Sequence, residues 1–197
     1  MHIDEKEIET HPFAPFVYDG AKILFLGTFP PKPEKWSMEF FYPNKINDMW
    51  RIMGIIFHKD KDFFIEGSTG AFDCERIRSF LVDNRIAMYD TAYKVYREKG
   101  NASDKYLHII EPVDVKKMLL QHESIDVVVA TGEKAALIVA TQFGVTVPKV
   151  GAHVEVSTGK KIVKMYRMPS TSRAYPMSID QKARIYRKML EENGYVV

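Results

Sequence analysis

One segment constrains this chain more than any other. Lys22-Ile-Leu-Phe-Leu-Gly27 is a short continuous apolar run that ends in glycine. A strand with one wet face alternates apolar and polar residues, whereas an unbroken run belongs to a strand covered on both faces, as in a parallel sheet. Arg85-Ile-Ala-Met-Tyr-Asp90 and Ile125-Asp-Val-Val-Val-Ala130 read as two further strands. His153–Val156 and Ile162–Tyr166 flank Ser157-Thr-Gly-Lys160, the pattern of a hairpin. Helical spacing falls between the strands. Asn47–Phe57 places Met49, Trp50, Met53, Ile56 and Phe57 on one face, and Asp73 opens a helix with Ile77, Phe80 and Leu81 inward. Pro112 is expected to open a helix through Met118 and Leu119, and Thr131-Gly132 to turn into a helix from Glu133 to Phe143. Ser178-x-x-Gln181 is a capping-box start for a last helix, which buries Ile179, Ala183, Tyr186 and Leu190 and stops at Gly194. Strands alternating with helices predict an α/β fold: three layers, α/β/α, around a central, mainly parallel, four-stranded sheet.

Composition bounds the rest. With 197 residues, 46% hydrophobic and 27% charged, the chain suits one domain over 1–197, and disorder, collagen and coiled coil are disfavoured. No apolar run reaches the ~18 residues of a membrane span, and the acidic first nine residues resemble neither a secretory signal nor a transit peptide. A single cysteine, Cys74, leaves no internal disulfide or cysteine-rich metal site, so a reducing cytoplasm is the default. The six histidines form no His-x-x-x-His pair, and a monomer is expected. Charge is uneven: residues 1–20 sum to −4 and read as an acidic N-terminal extension, while 149–197 sum to +6. A basic C-terminal quarter suits a polyanion, or is simply a solvated face.

In parallel sheets ligands bind beyond the C-terminal ends of the strands. Four segments should therefore converge: 27–47, 90–93, 131–134 and 168–173. Gly27-Thr28-Phe29-Pro-Pro31 is a strand exit stiffened by two prolines, without the Gly-x-x-x-x-Gly-Lys of a phosphate loop. Phe40, Phe41 and Tyr42 are three consecutive aromatics, and not all can enter one core from a loop. At least one should face a ligand, for which a base plane is a natural partner. Trp50 reads as core. Asn47 is either a helix N-cap or a polar group aimed into the pocket. Met168-Pro-Ser170-Thr171-Ser172-Arg173 sets small hydroxyls and an arginine at a strand end, where they can grip phosphates or merely precede a helix.

In that order and spacing these segments resemble the uracil-DNA glycosylase superfamily, most closely its mismatch-specific and hypoxanthine-type branches. The motifs are Leu26-Gly-Thr-Phe-Pro30 with Phe41-Tyr-Pro-Asn-Lys-Ile-Asn-Asp-Met-Trp50, then Ile86-Ala-Met-Tyr-Asp90, then Ala130-Thr-Gly132, then Met168-Pro-Ser-Thr-Ser172, together spanning about residues 20–192. The resemblance implies base-excision repair. A deaminated base, uracil or hypoxanthine, flips out of DNA into a pocket and its N-glycosidic bond is hydrolysed without metal or cofactor. It implies a base pocket of Gly27, Thr28, Phe29, Phe41 and Tyr42. Asn47 would position water or base and Asp90 would read the base edge. Gly132, Lys134, Ser170, Thr171, Ser172 and Arg173 would contact DNA. Two positions depart from the family pattern. Phe29 stands where the best-known branches carry a water-positioning Asp or Asn, and Met168 where the most active branch carries a donor His; the mismatch-specific and hypoxanthine-type relatives also lack that His. Asn47 is the available substitute, matching an asparagine of the hypoxanthine-type branch. The departures keep open a catalytically silent nucleic-acid-binding module on the same fold. A small-molecule enzyme acting on a nucleoside or base is a third reading.

Overall fold

Every residue of Ile23–Gly27 (β2), Ile86–Asp90 (β3) and Val127–Thr131 (β6) is buried, so these strands are covered on both faces. They form the parallel centre of a five-stranded sheet in the order β3-β2-β6-β8-β7 in the computed structural model, which describes residues 8–98 and 106–197. Strand β8 (Ile162–Met168) runs parallel to β6, and β7 (His153–Ser157) closes the edge antiparallel to β8. The sheet thus has five strands and not the expected four, because the 153–166 hairpin joins it as a pair. Five helices pack around it: α1 (Met49–His58), α2 (Cys74–Asp83), α3 (Val115–Gln121), α4 (Glu133–Phe143) and α5 (Ile179–Glu192). Helix α2 lies along β3, α4 crosses β6 and β8 with α3 against it, and α1 pairs with α5. Tyr186 of α5 stacks on Phe25 of β2, the two rings 6.4 Å apart and nearly parallel.

The capping box is formed: the Ser178 hydroxyl accepts from the Gln181 amide while the Gln181 side chain accepts from the Ser178 amide. Pro112, by contrast, opens no helix. It is the last residue of an edge strand, where a missing N–H is tolerated, and Asp114 caps α3 two residues on.

A second, three-stranded antiparallel sheet was not foreseen. Its order is β1-β4-β5, from Ile8–Thr10, Ala92–Arg97 and Leu107–Pro112. It draws part of the supposed N-terminal extension into the structure: Glu9 pairs with Val95, and Phe16 bridges Met88 of β3. Residues 1–7 of that segment lie outside the described residues. Among the described residues no helix is long and apolar enough to cross a membrane.

Candidate active site

The C-terminal ends of β2, β3, β6 and β8 open into one cleft of about 490 Å³, within the range of small-ligand sites. Gly27, Asp90, Thr131 and Ser170–Ser172 supply its floor, and the 28–31 and 42–47 segments its walls. The four segments named from sequence do converge.

Gly27 is glycine for want of room. A Cβ there would lie 2.4 Å from Asp90 Oδ1 and 3.1 Å from the Tyr42 hydroxyl. The carboxylate and the phenol therefore close over bare backbone at the end of β2. Tyr42 takes φ +52°, a strained value for a large side chain. The strain is held by a hydrogen bond of 2.8 Å to Thr131 Oγ1. Thr131 donates its own proton to the Leu26 carbonyl, so Tyr42 is the donor. The ring stands edge-on to Trp50, whose indole N–H donates to the Phe41 carbonyl and pins the loop to α1.

Only one of the three aromatics faces the cleft. Phe40 and Phe41 are 2% and 1% exposed. Phe41 packs against Phe13, Phe40 and Tyr89, so the expectation that it lines the base pocket is corrected: it is core, and Tyr42 is the one of the three that lines the cleft. Thr28 is buried at the cleft and Phe29 half-buried in its wall. Met168 is wholly buried and does not reach the cleft.

Asn47 lines the cleft and lies one residue before Asp48, the N-cap of α1, so the expected N-cap role falls to its neighbour. Asn47 Oδ1 accepts from the Met49 amide at 2.9 Å, fixing the side-chain orientation, and its Nδ2 makes no hydrogen bond with the described residues. A donor is left at the cleft's edge. Behind it, the Asp48 amide bonds the Thr171 carbonyl, and the Asp48 carboxylate, 6% exposed, takes Arg173 Nε at 3.0 Å and Lys182 Nζ at 3.1 Å. Lys182 is wholly buried and also donates to the Ser172 carbonyl, so α5 holds the 170–173 loop against α1. Tyr186 adds a second tether, donating to the Pro169 carbonyl at 2.8 Å; burial pushes its phenol well above the usual 10.

Two residues assigned to DNA do other work. The Gly132 amide donates to the Met168 carbonyl, and its φ of +116° makes it a turn glycine. Lys134 donates to the Leu107 carbonyl, linking α4 to the small sheet. Neither lines the cleft. Ser170, Thr171 and Ser172 do; Ser170 and Ser172 also accept from the amides of Ser172 and Ala174. Arg173 keeps about half its side chain in solvent. The basic C-terminal quarter does not gather here. Lys160 and Lys161 pair with Glu123 and Asp126 at the opposite, N-terminal pole of the strands.

The residue missed altogether is His11. Its side chain is fully buried and its Nε2 lies 2.8 Å from Asp90 Oδ2. Thr131 lay in the converging 131–134 segment but was given no role, though it ends an apolar run as Gly27 and Asp90 do. Asn44 and Tyr175 complete the rim.

No family model matches the chain, and no curated protein matches it. Among solved structures, it is similar to the solution NMR structure of a provisionally assigned uracil DNA glycosylase from Methanosarcina acetivorans, with a TM-score of 0.62 over 92% of this chain and 98% of that one. The two share a fold. Sequence identity is 20%.

Proposed function

We propose that this chain is a DNA glycosylase that hydrolyses the N-glycosidic bond of a deaminated base, uracil or hypoxanthine, flipped from DNA. The observation that carries the reading is the grouping of three complementary groups around one cleft: the Tyr42 ring, the Asp90 carboxylate and the Asn47 amide. They sit on a fold shared with a provisionally assigned uracil DNA glycosylase. A flipped base stacks on Tyr42, which repays part of the few kcal/mol of unstacking. Asp90 accepts from the base edge. Asn47 Nδ2 points a donor at the charge that builds on the departing base, a preorganised contribution that water would supply more poorly. The C1′–N bond breaks with its electron pair on the base, leaving an oxocarbenium-like sugar; water adds at C1′ and the proton it loses goes to the departed base anion. The exposed half of Arg173, with the Ser170–Ser172 segment, would lie along the strand flanking the lesion. The hypoxanthine-type branch suits Asn47 best, and the chain acts as a single-domain monomer in this reading.

A catalytically silent DNA-binding module is the second reading, and Phe29 favours it: an apolar ring occupies a cleft wall where the resemblance implies a water-orienting group. One gel panel separates the two. Labelled duplexes carrying uracil, hypoxanthine or xanthine are incubated with the protein and treated with alkali. Strand breaks at a deaminated base support the glycosylase; binding without breaks supports the module. A nucleoside or free-base enzyme would instead show little salt dependence and no need of the duplex.

A further inference from the structure

We infer that His11 is the positioning residue that makes Asp90 an acceptor for a ring N–H, and that the pair thereby selects deaminated bases over their parents; this deepens the glycosylase reading and rests on it. The argument begins with where His11 sits. Its ring is caged by Phe13, Phe29, Phe41 and Tyr89, with centroids 4.9–6.1 Å away, and none of it meets solvent. A buried imidazole needs partners on both nitrogens. Nδ1 faces the Phe13 backbone, 2.9 Å from its carbonyl oxygen and 3.2 Å from its amide nitrogen. Nε2 takes Asp90 Oδ2. One ring nitrogen is thus anchored to the backbone, and the other holds one carboxylate oxygen.

The other oxygen is left for the ligand. Asp90 makes no side-chain hydrogen bond among the described residues except that to His11, and it lines the cleft. Oδ1 lies over Gly27, where even a methyl group would collide with it. Without His11 the carboxyl group could rotate about its last bond; with it, one oxygen is fixed toward the cage and the other toward the cleft. A carboxylate only accepts. Deamination changes what a base edge offers at the ring nitrogen. Cytosine and adenine carry a lone pair there, which a carboxylate oxygen repels. Uracil and hypoxanthine carry an N–H, which it accepts. A site built to bond an N–H rejects the analogue that lacks it more strongly than an apolar pocket rejects a wrong shape.

The test uses duplexes in which a 2′-fluorine blocks cleavage, so binding is read whether or not the protein is active. Three are compared: one carrying uracil, one N3-methyluracil, one a tetrahydrofuran abasic analogue. The unmodified protein is expected to prefer uracil to N3-methyluracil by about tenfold or more. His11→Asn keeps a polar group near the Phe13 backbone but cannot reach Asp90; it should bring that ratio to within about threefold and leave abasic binding unchanged. His11→Gln reaches Asp90 and should restore most of the preference. Asp90→Ala, which removes the acceptor, should abolish it, and serves if His11→Asn does not fold. A ratio that survives in His11→Asn or Asp90→Ala overturns the inference. So does an equal loss on all three duplexes, which marks His11 as structural only. If the unmodified protein excises uracil yet shows no preference for the N–H, the inference alone falls. If it binds none of the duplexes, the glycosylase reading falls with it.

Discussion

The two sheets support the cleft in different ways: the five-stranded one forms its floor, and the three-stranded one braces the 28–31 wall from behind. The five-stranded sheet holds its half by burial: Gly27, Asp90 and Thr131 end strands with no exposed residue, and Trp50, Phe41 and Tyr186 pack beneath them. The three-stranded sheet has only a small core of its own, Ala92, Val95 and Leu107 with Phe29 and Ile109 against it. It supports the wall by polar links. Arg97, nearly fully buried, donates to Glu9 at 2.8 Å and to the Pro30 carbonyl at 2.5 Å, and lies over the Phe29 ring. Lys134 ties β5 to α4, and His11 ties the N-terminal segment to Asp90. Each buried residue of the large sheet belongs to one continuous core, whereas a polar link is one residue deep. A substitution in the large sheet should therefore damage the whole fold, and one in the small sheet should damage the site.

The largest expected effect follows on the burial side. Phe41→Ala should cost about 3–5 kcal/mol of stability, the usual range for a buried Phe, and lower the melting temperature by about 10 °C. Its neighbour Tyr42 is the contrast. Tyr42→Ala should barely move the melting temperature while weakening base-containing duplex by about 1–3 kcal/mol, leaving an abasic duplex unaffected. Equal melting losses in the two would erase the distinction drawn between core and cleft.

Next is Asn47, where both kinds of support meet. Asn47→Ala should reduce excision about 10²-fold or more, typical of losing one preorganised donor, and also cost about 1 kcal/mol because the Met49 amide loses its acceptor. Asn47→Asp keeps the oxygen that accepts from Met49 but replaces the Nδ2 donor with a charge. It should melt like the unmodified protein and still fail to excise. Retained excision in both variants makes Asn47 structural.

A smaller, local effect is expected at the polar links. Arg97→Met removes three contacts at once but leaves the large sheet's packing whole. Amide exchange should rise in β1 and β4 by an amount equivalent to about 1–3 kcal/mol, while β2, β3 and β6 keep their protection. Loss of protection in both sheets together would show that they unfold as one unit and that the division is one of geometry alone.

The same division explains what could be read from sequence. Unbroken apolar runs announce buried parallel strands, and the strand-end rule then brought Gly27, Asp90 and the 170–173 segment together without any long-range knowledge. The small sheet offers no such signal. β4 is interrupted by register shifts against β5 between Ala92, Lys94 and Val95, which break the period-two alternation that marks a half-exposed strand. β1 is three residues long and pairs across more than eighty positions. His11 lies in an acidic, Pro-rich stretch whose neighbours in sequence say nothing of Asp90. Charge misled for the same reason: summing over 149–197 adds residues at both poles of the sheet, and only proximity in space separates Arg173 from Lys160 and Lys161. Three aromatics in a row were legible as a group, but which one turned outward depended on the φ of Tyr42 and its bond to Thr131.

The smallest expected effect is at Arg173, and it tests where the DNA runs. Affinity for lesion-containing duplex should fall with rising salt with a log–log slope of roughly −2 to −4 if a few phosphates are neutralised. Arg173 is half-exposed next in sequence to the cleft-lining Ser172 and shares its guanidinium with Asp48, which Lys182 already satisfies on the other oxygen. Arg173→Ala should therefore reduce the slope by about one phosphate's worth with little change in melting temperature, because Asp48 keeps its buried partner. Lys160→Ala, at the opposite pole, should leave the slope alone. If the two substitutions flatten it equally, the strand does not follow the 170–173 loop and the contact surface must extend around the edge of the large sheet. If neither does, neither residue meets a phosphate, and the next cation to test is Lys35, which lines the other wall of the cleft.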